Sequence, residues 1–319
     1  MATAQVDEAD NSATAGDAPP VTTPSTELDA TTTTGETAAT TTEAPATTEA
    51  PATTEAVVED APTADAESLS AMLVSLYNDD NSTTLRELVH PDVAHYSPAI
   101  GDGVDAWADF AARFAGEQPV VEIHRAITDG DTVLVHAEYA WNPARELDGG
   151  LGSAVAHVFT IENGLVVRAV EVTQAVSETS VSGHGMFEQV GESATNSDTD
   201  ANRAATIRMV TEALAGDASA VDELVGDYIQ HNPLVPDGRD GVVGLVDATG
   251  GFPSQFGTAA AEGDLGATLV LYDANPVLGG VPVVGVDIFR FGEDGLITEH
   301  WDVLEPEFIS PDGRTFPFG

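Results

Sequence analysis

The chain contains no lysine and no cysteine, and its 10 arginines face 54 Asp and Glu, giving a formal net charge of −44 over 319 residues. Without lysine there is no Schiff-base chemistry and no P-loop, whose phosphate-binding lysine is missing. Without cysteine there is no thiol nucleophile, thiolate zinc site, iron–sulfur cluster or disulfide framework. A polyanion of this strength repels phosphate backbones and anionic lipid surfaces, which argues against a nucleic-acid partner. No apolar run is long enough to span a bilayer, so no membrane insertion is expected. A genome that writes Arg for Lys explains the missing lysines but not the excess of acid. The excess fits a salt-adapted surface, because the Debye length falls to about 3 Å at 1 M salt and self-repulsion falls with it.

Composition divides the chain. Residues 1–64 hold no Arg and no aromatic residue, and Thr41 to Ala56 repeats Thr-Thr-Glu-Ala-Pro-Ala with a period of six. Such a segment cannot bury enough apolar area to offset the entropy of ordering, and it reads as a disordered, acidic, Pro-stiffened tail. Stalks of this composition often carry extracellular domains. The start, MATAQVDEADN, has neither a basic head nor an apolar core and does not read as a signal peptide. Either the chain stays inside the cell or a signal was removed, in which case the tail leans extracellular.

From residue 65 the pattern is that of folded chain. Leu69, Met72, Leu73 and Leu76 lie at helical spacing, as do Leu85, Leu88 and Val89. Extended segments follow at 120–127, 132–141 and 153–176, the last with an Asn163-Gly164 turn. A polar linker covers 179–200, after which Ile207, Val210 and Leu214 mark a helix ending at Gly216, and Val221, Leu224 and Val225 a short one. Extended segments return at 267–272, 281–291 and 296–304. The halves share an element order and local sequence. His95-Tyr96-Ser97-Pro98 parallels His231-Asn232-Pro233, and Ala156-His157-Val158-Phe159 parallels Val286-Asp287-Ile288-Phe289. This indicates a tandem duplication of one α+β unit, with domains at 65–178 and 201–319.

Three segments carry a family resemblance: Tyr228-Ile229-Gln230-His231-Asn232-Pro233, Val286-Asp287-Ile288-Phe289-Arg290 and Glu299-His300-Trp301-Asp302. In that order they resemble the SnoaL-like proteins, in particular the branch predicted to catalyse aldol condensations, within the nuclear-transport-factor-two-like superfamily. The resemblance is clear over 201–319 and weak over 66–178. It implies two cone-shaped domains, each a strongly curved antiparallel sheet wrapped by helices and open at one end to a ligand cavity. It also implies pairing through the sheets, as an internal pseudo-dimer or a homodimer. Because this fold hosts isomerases, cyclases, hydrolases and non-catalytic binders, it does not specify a reaction. The segment from Gly250 to Gly266, rich in Gly and Ala, departs from the family where a clear strand is expected.

The last hairpin can be read without the family. A tight Gly292–Gly295 turn pairs Phe291 with Leu296, Phe289 with Thr298 and Asp287 with His300. Period two then puts Phe291, Phe289, Asp287, Leu296, Thr298, His300 and Asp302 on one concave face, and Ile288, Arg290, Ile297, Glu299 and Trp301 on the other. A carboxylate–imidazole pair inside an apolar face is a base poised to take a proton beside a carbonyl. The expected catalytic residues are Asp287 and His300, with His231 donating to a carbonyl or enolate oxygen. Tyr228, Phe289, Trp301 and Asp302 are expected around the substrate, a small, largely apolar carbonyl compound. Trp301 reads equally as core. The bland alternative is a satisfied polar network in a non-catalytic binding or interaction protein. His231, His300 and Asp287 form a conceivable two-His-one-carboxylate set. No ligand motif of fixed spacing accompanies it, so neither metal nor cofactor is expected. In the first half His95 matches His231 and His157 replaces Asp287, with Ala169 or Val170 opposite His157. That half reads as catalytically degenerate, and His90, His124 and His136 as ordinary surface or sheet positions.

Overall fold

The computed structural model describes residues 63–114, 121–140, 151–195 and 197–316. The Thr/Pro-rich tail, apart from its last two positions, lies outside the described residues. The first half runs α1 (Ala66–Asn78), α2 (Thr83–Leu88), β1 (Val89–Tyr96), α3 (Val104–Ala112), β2 (Val121–Asp129), β3 (Thr132–Tyr139), β4 (Ser153–Glu162) and β5 (Leu165–Ala175). The second repeats it as α4 (Thr199–Arg208), α5 (Ala218–Leu224), β6 (Val225–Gln230), α6 (Arg239–Thr249), β7 (Ser254–Glu262), β8 (Leu265–Tyr272), β9 (Val283–Phe291) and β10 (Ile297–Pro306). The sheets have the matching orders β1-β5-β4-β3-β2 and β6-β10-β9-β8-β7. The first strand of each half runs parallel to the last, and every other pairing is antiparallel.

Local chemistry sets the element ends. α1 starts in a capping box, with Asp65 accepting from the Ser68 N–H and the Ser68 hydroxyl accepting from the Asp65 N–H. Its apolar stripe, Leu69, Met72, Leu73, Leu76 and Tyr77, is buried against the first sheet. Ala64 is 4% exposed and donates its N–H to the Gly164 carbonyl, so the packed chain begins before residue 65. Asp198 and Asp217 cap α4 and α5 through their side chains alone, accepting from the Ala201 and Ser219 N–H groups. α3 and α6 both start from a glycine at positive φ, Gly103 at 92° and Gly238 at 86°, a conformation closed to most side chains.

The two sheets pack back to back. Leu134, Ala156, Val158, Val170 and Val172 of the first meet Leu269, Val286, Ile288, Trp301 and Val303 of the second in one buried cluster. The expected pairing through sheets is thus made within one chain. The connection after β5 is built into it, with Met186 and Phe187 in the same cluster. β7, which composition did not predict, lies where the halves meet. Its small Ala259, Ala260 and Ala261 suit a strand pressed against a neighbour, with Asp129 accepting from the Ala261 N–H. Propensity argues against a strand there, and tertiary packing decides it.

Both terminal hairpins carry a β-bulge that sequence did not show. In β10 the register shifts between Ile297 and Glu299, so that Phe291 faces Ile297 but Phe289 faces His300 and Asp287 faces Asp302. The turn is one residue longer than expected and the bulge adds another. A shift of two keeps the parity, which leaves Asp287, Phe289, His300 and Asp302 on one face as expected. Asp287 and His300 are not directly opposed. Before the bulge the parity is reversed, so Ile297 packs in the core with Phe289 and Phe291, in place of Leu296 and Thr298. In the first half an equivalent shift between Thr160 and Ile161 places Glu171, not Ala169 or Val170, opposite His157.

Candidate active site

The concave face of the second sheet ends in a cavity of about 410 Å³, within the size range of small-molecule sites. Leu214, Val242, Leu245, Phe252, Val283 and Leu304 supply its apolar walls, while Leu234 and Val277, 74% and 50% exposed, lie at its rim. Gln174, Ala175 and Ser177, at the end of the first half, complete one side. Tyr228, Gln230, Asn232, Tyr272, Asp287, His300 and Asp302 form the polar part.

The hydrogen bonds there fix the protons. Gln230 Oε1 accepts from the Asn232 backbone N–H at 2.8 Å, which identifies that atom as the amide oxygen. His300 Nδ1 lies 3.1 Å from the same oxygen and therefore carries a hydrogen. His300 Nε2 then faces Asp287 Oδ1 at 3.2 Å, and the two share one proton. Asp287 Oδ2 accepts from the Tyr272 hydroxyl at 2.7 Å. The Gln230 amide donates to the Tyr228 hydroxyl at 3.3 Å, which leaves the phenolic hydrogen free to point elsewhere. Phe289 stacks beneath His300 with ring centroids 4.7 Å apart, and it is fully buried, supporting the imidazole without lining the cavity.

Asp302, opposite Asp287, accepts from Asn232 Nδ2 at 2.7 Å through one oxygen, while its other oxygen is buried and without a hydrogen-bond partner among the described residues. Burial pushes its carboxyl up to about 6, with the Asp287 charge adding to the rise and His300 and Asn232 opposing it. Burial likewise raises the Tyr228 and Tyr272 hydroxyls well above the usual tyrosine value, so both are neutral donors.

Two expected site residues lie on the opposite side of the sheet. His231 points away from the cavity, with Nδ1 2.7 Å from the Gly185 carbonyl and Nε2 2.8 Å from Glu299 Oε1. Trp301 is fully buried between the halves, donating to the Glu188 carbonyl, with the Arg125 guanidinium 3.5 Å from its ring centroid. The reason is strand period: Tyr228 and Gln230 share one face of β6, and His231 follows on the other. The metal set containing His231 does not assemble. Instead Asp287, His300 and Asp302 bring ligand atoms within 4.8 Å of one another. Glu299 anchors the buried network on the far side. Burial works to raise its carboxyl, but His231 and the Val190 and Gly191 N–H groups outweigh this and hold it at about 2.

Gln230, Asn232 and Tyr272 were not anticipated as site residues. The repeat could have revealed the first two. Aligning Pro98 with Pro233 sets His95 against Gln230 and Tyr96 against His231, and the strand pairing agrees, since Ala169 meets His95 as His300 meets Gln230. His95 therefore does not correspond to His231. The first half has a parallel constellation, with Tyr139 3.0 Å from His157, and Ser97 3.3 Å from Glu171. Among the described residues a tryptophan fills its cone, however. Trp107, four residues past the glycine cap as Val242 is in the other half, is fully buried against His95 and donates to the Tyr77 hydroxyl. Burial drives His95 and His157 down to about 3, so both are neutral. His136, expected as an ordinary position, is buried against Arg125 in the interface between the halves.

A family model described as a SnoaL-like domain matches residues 70–169, the half in which sequence analysis found the weaker copy. No curated protein matches the chain. Among solved structures, TsrD from Streptomyces laurentii is 17% identical, covering 35% of this chain and 91% of that one with a TM-score of 0.28. A protein assigned to the polyketide cyclases, from Sinorhizobium meliloti, is 24% identical over 31% and 89%, with a TM-score of 0.26. An LEH-like epoxide hydrolase of M. tuberculosis is 19% identical over 34% and 81%, with a TM-score of 0.27.

Proposed function

We propose that this chain, a member of the SnoaL-like family, binds a small, largely apolar carbonyl compound in its second half and performs cofactor-independent acid–base chemistry at carbon, such as aldol-type cyclisation, isomerisation or dehydration. The observation that supports this best is the single shared proton. Gln230 holds one hydrogen of His300 on Nδ1, so the shared proton lies between Nε2 and Asp287, and the Asp287 carboxylate is the group able to accept a further proton beside the apolar cavity. A ketone in that space loses its α-proton to the Asp287 carboxylate, leaving a carboxylic acid beside the protonated imidazole, negative charge develops on the ketone oxygen, and the same proton is returned to carbon. The Tyr228 hydroxyl, neutral and with its hydrogen uncommitted, takes the donor role first expected of His231. Tyr272 steadies Asp287 through the other carboxylate oxygen.

The test is deuterium wash-in at the α-carbon of a small cyclic ketone in D₂O, followed by NMR. Asp287→Asn and His300→Gln should each slow exchange by about 10²-fold or more. The double variant should lose little beyond either single one, because groups acting as a unit are non-additive. Tyr228→Phe should cost less. Wild-type exchange in a folded double variant sinks the catalytic reading and leaves a non-catalytic binder. That second reading draws support from both oxygens of Asp287 and both nitrogens of His300 already having protein partners.

A further inference from the structure

The cavity is unusual in its charges. Two carboxylates, Asp287 and Asp302, face each other across β9 and β10, with His300 beside them. Among the described lining residues there is no arginine. Asp302 is 9% exposed, and its free oxygen has no donor among the described residues. A buried acceptor left open is costly until something donates to it. An anionic ligand would place a third negative charge here, in a chain whose net charge is already −44. A neutral hydroxyl could satisfy the open oxygen, but a charged donor forms a hydrogen bond roughly twice as strong. The rest of the space is apolar, from Leu214 and Phe252 to the exposed Leu234 at the rim.

We propose that the ligand is an organic cation, an apolar body bearing a protonated amine whose N–H donates to the free oxygen of Asp302. This rests on the cavity being the ligand site. On the catalytic reading, the substrate is then a carbonyl compound that also carries an amine. The nitrogen sits on Asp302, while Asp287 and His300 stay with the reacting carbon. The first half contributes by walling the cavity with Gln174, Ala175 and Ser177.

The test uses three near-isosteric probes, cyclohexylmethylamine, cyclohexylmethanol and cyclohexanecarboxylate, titrated calorimetrically into the full chain. Working at about pH 8 in 1 M NaCl shortens the Debye length to about 3 Å and removes general attraction of cations to the acidic surface. The amine should bind at least about tenfold tighter than the alcohol, with no detectable heat from the carboxylate. Asp302→Asn should bring the amine to within about threefold of the alcohol. Equal or tighter binding of the alcohol or the carboxylate overturns the proposal. So does tight binding of Mn²⁺ or Zn²⁺ alone that Asp302→Asn abolishes, because the triad would then be a metal site. Retained amine preference without deuterium exchange would remove the catalytic reading and keep this one, and the converse result would do the opposite.

Discussion

Asp302→Asn should make the protein more stable at neutral and alkaline pH. The wild-type carboxyl is lifted from an ordinary 3.8 to about 6 by burial and by the Asp287 charge. A raised acid leaves stability intact below the unfolded value, where both states carry the proton. Stability is then lost as pH rises through the folded value, where the native state must ionise a buried group. A difference of about two units at about 1.4 kcal/mol each gives a penalty of about 3 kcal/mol above pH 6. An asparagine keeps the acceptor for Asn232 and carries no charge beside Asp287, but it buries two N–H donors. The expected net gain is therefore about 1 to 3 kcal/mol, or several degrees in Tm for a unit of this size. Thermal denaturation of both proteins should be followed from pH 4 to pH 8 at fixed salt. The wild type should lose about 3 kcal/mol relative to the variant between pH 4 and about pH 6, and the curves should stay parallel above. A constant offset, or a variant less stable at pH 8, would refute the assignment of a buried and uncompensated charge.

Two further outcomes follow from the packing and the charge. Trp301→Ala should cost about 3–5 kcal/mol of stability, measured by chemical denaturation, with the cavity and its ligand affinity retained in the folded fraction; a loss of binding with unchanged stability would return Trp301 to the site. The thermal midpoint of the full chain should climb from low to molar NaCl as the acidic surface is screened, and a flat profile would remove the salt-adapted reading.

What the sequence determined by itself was the repeated α+β order and the inward face of the last hairpin. These rest on short-range physics: helical spacing in Leu69–Leu76, the Asn163-Gly164 turn, and strand period two through Asp287, Phe289, His300 and Asp302. The same period already separated Tyr228 and Gln230 from His231, and His300 and Asp302 from Trp301. The family motif drew all of them into one site because a motif carries no faces. What only the tertiary structure decided was the register and the fate of each cone. The bulges after Ile297 in β10 and Val166 in β5 insert one residue without a composition signal, because the inserted residue is accommodated by pairing and packing with distant strands. They oppose Asp287 to Asp302 and His157 to Glu171. Whether a cone is open depends on side chains brought together from far along the chain. Trp107, with Tyr77 and Phe159 around it, closes the first, while Val242 at the corresponding place leaves the second open to Asp287, His300 and Asp302.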